Sequence, residues 1–259
     1  MQTTKITFLA VLLAHFLGDF VFQTKRIIAA KDGVSGYLQH GVIHLGLLIG
    51  CLWFVGHQMV SWYIQLLLIS YIAIHLLLDF VKHTFVKHKR ASDTAAMFIA
   101  DQVLHVASIS ALVLLMERLK WKEFIAQFRW SIETRERVMI VIIVYTATVF
   151  GGGYLIRYLT RSLAIQLNSN STDETEQELR NAGMYIGWLE RFLVISAMIV
   201  QSPALIGLIL TGKSIARFPE LKEARFSEYF LIGTSLSIAL ALVAGLILVH
   251  IFYGTISFK

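Results

Sequence analysis

The sequence predicts an all-α fold, a polytopic transmembrane helix bundle of about seven spans. Three observations carry that expectation. The chain is 56% hydrophobic and 15% charged, where a soluble domain carries about 25% charge. Its mean hydropathy is +0.67. Its apolar stretches recur along the whole length, each long enough to cross a hydrocarbon core of about 30 Å.

The spans are expected near 5–22, 38–56, 60–82, 94–117, 138–160, 184–211 and 227–250. The first contains Asp19 and lacks a small-residue exit, so it reads as a retained span and not a cleaved leader. Residues 23–37 form a short basic connection broken by Gly33 and Gly36, and 83–93 a second basic loop, with Ser92 or Asp93 as N-cap of the fourth span. Residues 118–137 mix Trp121, Phe124, Phe128 and Trp130 with Lys and Arg, the pattern of a helix lying in the interface. The polar stretch 164–183 reads as a loop. The organisation expected is therefore a four-helix bundle over 1–117, an interfacial helix and fifth span over 118–163, the loop over 164–183, and two spans over 184–259.

Four of the spans carry a polar pair four residues apart: His15/Asp19, His40/His44, His75/Asp79 and Asp101/His105. On an α-helix such positions share one face, about 6 Å apart along the axis. The pairs lie near the end of spans 1 and 3 and near the start of spans 2 and 4. Successive spans run in opposite directions, so all four pairs fall at one depth, toward the 23–37 and 83–93 loops. An Asp at mid-membrane costs roughly 2.5–3.5 kcal/mol on the insertion scale. Polar hydrogen bonds between membrane helices return about 0.6–2 kcal/mol each, which accounts for one such residue better than for eight.

Neutral imidazole and carboxylate are ligands for zinc, iron and manganese. All eight residues are thus candidate ligands for one or two divalent transition-metal ions per chain, zinc favoured and iron or manganese the alternatives. Gln23, Gln102 and His83 extend the same faces as outer-shell groups. A metal-dependent hydrolase or oxidase acting on a lipid or small-molecule substrate, a divalent-cation or proton-coupled transporter, and a purely structural polar network all remain open readings. The single Cys51 excludes an internal disulfide and a thiolate-rich zinc site.

The remaining motifs read more blandly. Net charge is +6, but the basic residues are scattered over loops, which points to lipid phosphates and not to nucleic acid. His57, His88 and His250 read as interfacial. Gly207 to Ser214 matches a phosphate-binding loop literally, yet its interior is apolar and no strand precedes it. Lys213 and Arg217 share a helix face and suit lipid or anionic-ligand contact. Glu190 and Arg191 read as structural salt-bridge residues that pair with each other or with neighbours, Gly151 to Gly153 as a close contact or local break, and Pro203 as a kink in span 6. Lys and Arg divide evenly between the two sides, but the loop after the first span is more basic than the N-terminal flank. That favours the N-terminus outside and the polar cluster toward the cytoplasm.

Five stretches resemble an uncharacterised bacterial integral-membrane family, a domain of unknown function. They are His15-Phe-Leu-Gly-Asp19-Phe-Val-Phe-Gln23, His40-Gly-Val-Ile-His44, His75-Leu-Leu-Leu-Asp79, Asp101-Gln102-Val-Leu-His105, and the C-terminal block Lys213-Ser-Ile-Ala-Arg217-Phe with Glu228-Tyr-Phe-Leu-Ile-Gly233-Thr234. The resemblance implies a location in the bacterial inner membrane and brings no activity, substrate or cofactor with it.

Overall fold

A computed structural model describes residues 4–57, 61–88, 94–117, 134–161, 163 and 174–254. The described residues are mostly helical, with no strand among them. Six helical segments are long and apolar enough to cross a membrane: Thr4–Phe22, Val34–Phe54, Trp62–Lys87, Ala95–Glu117, Thr134–Leu159 and Ala224–Tyr253. The protein is a multi-pass helical membrane protein on that basis. The chain divides into two compact units, Met1–Ile143 and Val144–Lys259. The division falls inside the fifth span, later than the boundary expected at residue 117.

In the first unit, α1 (Thr4–Phe16) runs into a π-helical turn at Leu17–Phe22. The short α2 (Lys25–Ala30) follows, its N-terminus capped by Thr24, whose hydroxyl accepts from the Ile27 amide. Then come α3 (Val34–Phe54), α4 (Trp62–Lys87) and α5 (Ala95–Glu117). Packing is cyclic: α1 against α3, α3 against α4, α4 against α5, and α5 back against α1. Thr94 caps α5 by accepting from the Met97 amide. Ser92 and Asp93, the caps expected from sequence, lie outside the described residues, as do residues 118–133 of the expected interfacial helix.

The apolar core of this unit lies to one side of the polar pairs. Ala10, Val11, Leu48, Leu52, Ile109 and Val113 are essentially fully buried. They precede His15 on α1 but follow His44 on α3 and His105 on α5, as antiparallel neighbours require. The outward faces remain apolar: Leu66, Ile69 and Leu77 of α4 and Val103 and Leu104 of α5 are exposed in the chain alone, as lipid-facing side chains are.

The second unit contains the rest of α6 (Thr134–Thr146), a second π-helical turn at Ala147–Gly151, α7 (Gly152–Leu159), α8 (Glu174–Ile199), α9 (Pro203–Ala216) and α10 (Ala224–Tyr253). Here α8 packs along α10, and a Cβ at Gly245 would fall onto the Met198 side chain, so glycine sets that close approach.

Two expectations are corrected. The span expected at 184–211 is two helices, because Gln201 takes φ 54° and Pro203 starts a new helix. Proline has no N–H for the i−4 carbonyl, and its ring disfavours helical geometry in the residue before it. The stretch expected as a loop to residue 183 is helical from Glu174. Its Glu and Gln residues are good helix formers, and acidic groups suit a helix N-terminus.

Candidate metal centre

Five histidines from four helices converge inside the first unit. His15, His40, His44, His75 and His105 are all at most 2% exposed. Their rings stack or meet edge to face, with centroids 4.8 Å apart for His15/His105, 4.5 Å for His75/His105, 4.0 Å for His44/His75 and 4.3 Å for His40/His44. The i, i+4 spacing puts two residues of each pair on one helix face. The helix ring turns those faces inward at a common level.

Asp19 lies at the centre. Its Oδ1 is 3.0 Å from His44 Nε2, 3.3 Å from His40 Nε2 and 3.6 Å from His75 Nε2, while Oδ2 is 3.7 Å from His15 Nε2. It sits on the π-helical turn, a local widening found disproportionately at functional sites. The preceding Gly18 lets the turn approach α3, since a Cβ there would fall onto the His44 ring.

Asp79 and Asp101 are placed differently, because each carboxylate is held by a lysine. Lys31 Nζ donates to Asp79 Oδ2 at 2.6 Å and Lys82 Nζ to Asp101 Oδ2 at 2.8 Å. Asp79 also lies 3.1 Å from His40 Nε2 and 3.7 Å from His105 Nε2. His105 Nδ1 lies 2.9 Å from the Asp101 backbone carbonyl, which can only accept. The proton of neutral His105 is therefore on Nδ1, and its Nε2 carries a free lone pair aimed into the cluster.

The donor set fits a transition-metal ion. Three groups have ligand atoms all within 4.8 Å of one another: His15, Asp19, His75 and His105; Asp19, His40, His44 and His75; and Asp79, Asp101 and His105. The first two share Asp19 and His75. Ligands bound tetrahedrally at about 2.0–2.1 Å stand about 3.3–3.4 Å from each other, and the Nε2 atoms of His40 and His75 are 3.2 Å apart. Both Nδ1 and Nε2 of His15, and Nε2 of His105, are buried without a hydrogen-bond partner among the described residues. Such orphaned nitrogens cost about 1–3 kcal/mol each unless something binds them.

Of the outer groups read from sequence, Gln23 Nε2 lies 3.3 Å from His40 Nε2, and Gln102 donates to Asp101 Oδ2 at 3.2 Å. His83 stands apart. Its Nε2 is 3.8 Å from Asp32 Oδ1, and Asp32 is bonded to Lys87 at 2.6 Å. That bond holds the exposed Asp32 carboxyl below its ordinary range. His57 pairs with Glu117 at 3.6 Å, away from the cluster, and His88 is an exposed residue ending α4.

In the second unit, Lys213 donates to Glu190 at 2.6 Å and Arg217 to Glu220 at 3.3 Å. Glu190 therefore pairs with Lys213 and not with Arg191.

Sequence reading missed Gly18, Lys31 and Lys82. Lys82 follows Asp79 by three residues, a spacing that puts it beside that turn of α4. Nothing local marks Lys31, which reaches a carboxylate 48 residues away.

Residues 7–132, close to half of the chain and all eight candidate ligands, match the model of a family described as "Protein of unknown function (DUF3307)". The Lys213 and Glu228 stretches fall outside the matched segment. No curated protein and no solved structure matches. The segment that builds the His/Asp cluster is thus the part of this chain that resembles a family of unknown function.

Proposed function

We propose that the first unit binds one or two divalent transition-metal ions, zinc favoured and iron or manganese the alternatives. The eight residues are its candidate ligands, with Asp19 central and the lysine-paired Asp79 and Asp101 toward the edge. The observation that carries this is the charge balance. Asp79 and Asp101 each have a lysine, whereas the ion-pair partners of Asp19 among the described residues are imidazoles alone. A single proton shared with one imidazole would balance the charge and leave the other orphaned nitrogens in place. A divalent ion engages the carboxylate and several nitrogens at once.

The reading goes on to a metal-dependent enzyme acting on a lipid or other membrane-accessible substrate. A metal in such a site supplies Lewis acidity and a bound water acidified toward neutrality, the means of a hydrolase; an iron pair would suit an oxidase. The chain's part is to fix the ligand geometry and exclude bulk water. The alternative, a cation or proton-coupled transporter, needs a polar route to both membrane faces. The layer formed by Ala10, Val11, Leu48, Leu52, Ile109 and Val113 favours the enzyme over the transporter. We place the protein in the bacterial inner membrane, its N-terminus outside and the cluster toward the cytoplasm.

Elemental analysis of protein purified in mild detergent, without chelator or a histidine tag, tests the metal. One or two equivalents per chain are expected, falling severalfold in His44→Ala or His75→Ala. Background content in folded protein would overturn the reading. Protein reconstituted in liposomes and moving metal across the bilayer would replace the enzyme by the transporter.

A further inference from the structure

The second unit buries a cation for which the described residues provide no anion. Arg191, on α8, is 5% exposed. Its Nε and Nη2 donate to the Val149 carbonyl at 3.1 and 2.8 Å, and its Nη1 donates to Ser237 Oγ at 3.1 Å. The adjacent Glu190 is engaged by Lys213. No carboxylate among the described residues pairs with Arg191.

The site lies deep in the helices. Val149 is on the π-helical turn inside the fifth span, ten residues from its end at Leu159, and Ser237 is the fourteenth residue of the 30-residue α10. An ionised side chain at such depth is costly and faces a partner or a functional site. Neutral acceptors lower that cost without cancelling the charge.

Two N–H groups are still unassigned. A guanidinium carries five, and the three bonds above leave one on each terminal nitrogen. Both terminal nitrogens lie against glycines. A Cβ at Gly153 would stand 2.9 Å from Nη2, and one at Gly187 would stand 3.3 Å from Nη1. The same Gly153 position is 3.4 Å from Trp188 Nε1, an indole N–H with no acceptor among the described residues. Any side chain at residue 153 would cover these donors.

We infer that Arg191, with Trp188 and the bare backbone at Gly153 and Gly187, is an oxyanion-binding site inside the second unit. Two terminal N–H groups in a rigid fork match two oxygens of one phosphate or carboxylate, which a spherical halide does not. The indole N–H supplies a third donor. Both a phospholipid headgroup and free phosphate offer this chemistry.

The test is thermal unfolding of the full chain in a neutral detergent, titrated with inorganic phosphate, with dioctanoyl phosphatidic acid, and with dioctanoyl phosphatidylcholine as a zwitterionic control. The wild type is expected to show a saturable rise in midpoint with phosphatidic acid. An equal rise with phosphate identifies a soluble anion as the source; a rise with phosphatidic acid alone identifies a lipid. In Arg191→Met the apparent affinity should fall at least tenfold. Gly153→Ala keeps the guanidinium and puts a methyl against Nη2 where the open donors lie, so it decides the matter if Arg191→Met does not fold. A wild-type midpoint indifferent to both anions, a response that phosphatidylcholine reproduces, or an undiminished response in Gly153→Ala overturns the site.

Discussion

Lys31 and Asp79, 48 residues apart, meet as an ion pair of 2.6 Å at the edge of the histidine cluster, each side chain about 10% exposed. The pair ties the residue that follows α2 to the third span. It also neutralises one of the three carboxylates that the four polar helices bring together. Breaking a buried pair by removing one partner leaves an uncompensated charge and costs about 3–5 kcal/mol. Lys31→Met should therefore destabilise the protein by about 3 kcal/mol, read by chemical or thermal unfolding in detergent. Adding Asp79→Asn removes the stranded charge, so the double variant should be more stable than Lys31→Met alone. Equal losses in the single and double variants would mean that a stranded Asp79 charge is not what destabilises Lys31→Met.

The carboxylates should differ in their effect on metal content. Among the described residues Asp19 has only imidazole partners within ion-pair distance, whereas Asp101 is held by Lys82 and Gln102. Asp19→Asn is expected to lower bound metal at least tenfold, as the central negative ligand is lost. Asp101→Asn keeps an acceptor for Lys82 and should retain most of the metal. Elemental analysis of both proteins, purified in parallel, checks this. Equal loss in the two would make Asp101 as much a ligand as Asp19.

The sidedness of the cluster is open to chemical labelling. Asp32 and Lys87 are exposed and bonded to each other, so the loops that carry them must emerge on one face. In a Cys51→Ser background, Asp32→Cys and Lys87→Cys should react with a membrane-impermeant maleimide from the same side of the membrane. With the N-terminus outside, that side is the cytoplasm, and intact cells should protect both. Labelling of both in intact cells would invert the orientation; labelling of only one would break the four-helix arrangement.

The helical class and the eight converging residues were legible because both rest on short-range regularities. The hydropathy of a span is a local sum, and the i, i+4 pairs at His15/Asp19 and His75/Asp79 report a helix face directly. Their common depth follows from the alternating direction of the spans. What sequence left hidden depends on distant partners or backbone detail. Lys31 reads as one more loop cation until its carboxylate is known. From sequence Glu190 and Arg191 pair either with each other or with neighbours; consecutive helix positions point about 100° apart, and each finds its partners on other elements. The π-helical turns at Leu17–Phe22 and Ala147–Gly151 leave no pattern in hydropathy. The break at Gln201 was half visible, since Pro203 announces an interruption but not whether the helix bends or restarts.

Gly18 offers the sharpest test of the local backbone at the cluster. It is buried on the π-helical turn, next to Asp19, with the His44 ring against its Cα. In an ordinary helix Gly→Ala gains up to about 1 kcal/mol from backbone propensity. Here the added methyl would have to displace an imidazole that is itself 2% exposed and 3.0 Å from Asp19. The His44 ring is packed against the His40 and His75 rings, so overpacking should outweigh the propensity gain, at about 1–3 kcal/mol. Gly18→Ala is thus expected to lower stability and reduce bound metal together. The double variant Gly18→Ala/His44→Ala removes the obstructing ring. It should be no less stable than His44→Ala alone, though still poor in metal. Unfolding curves and elemental analysis on the three proteins give the answer. A Gly18→Ala protein as stable and as metal-rich as the wild type would show that the turn and α3 do not meet as closely as the His44 ring requires.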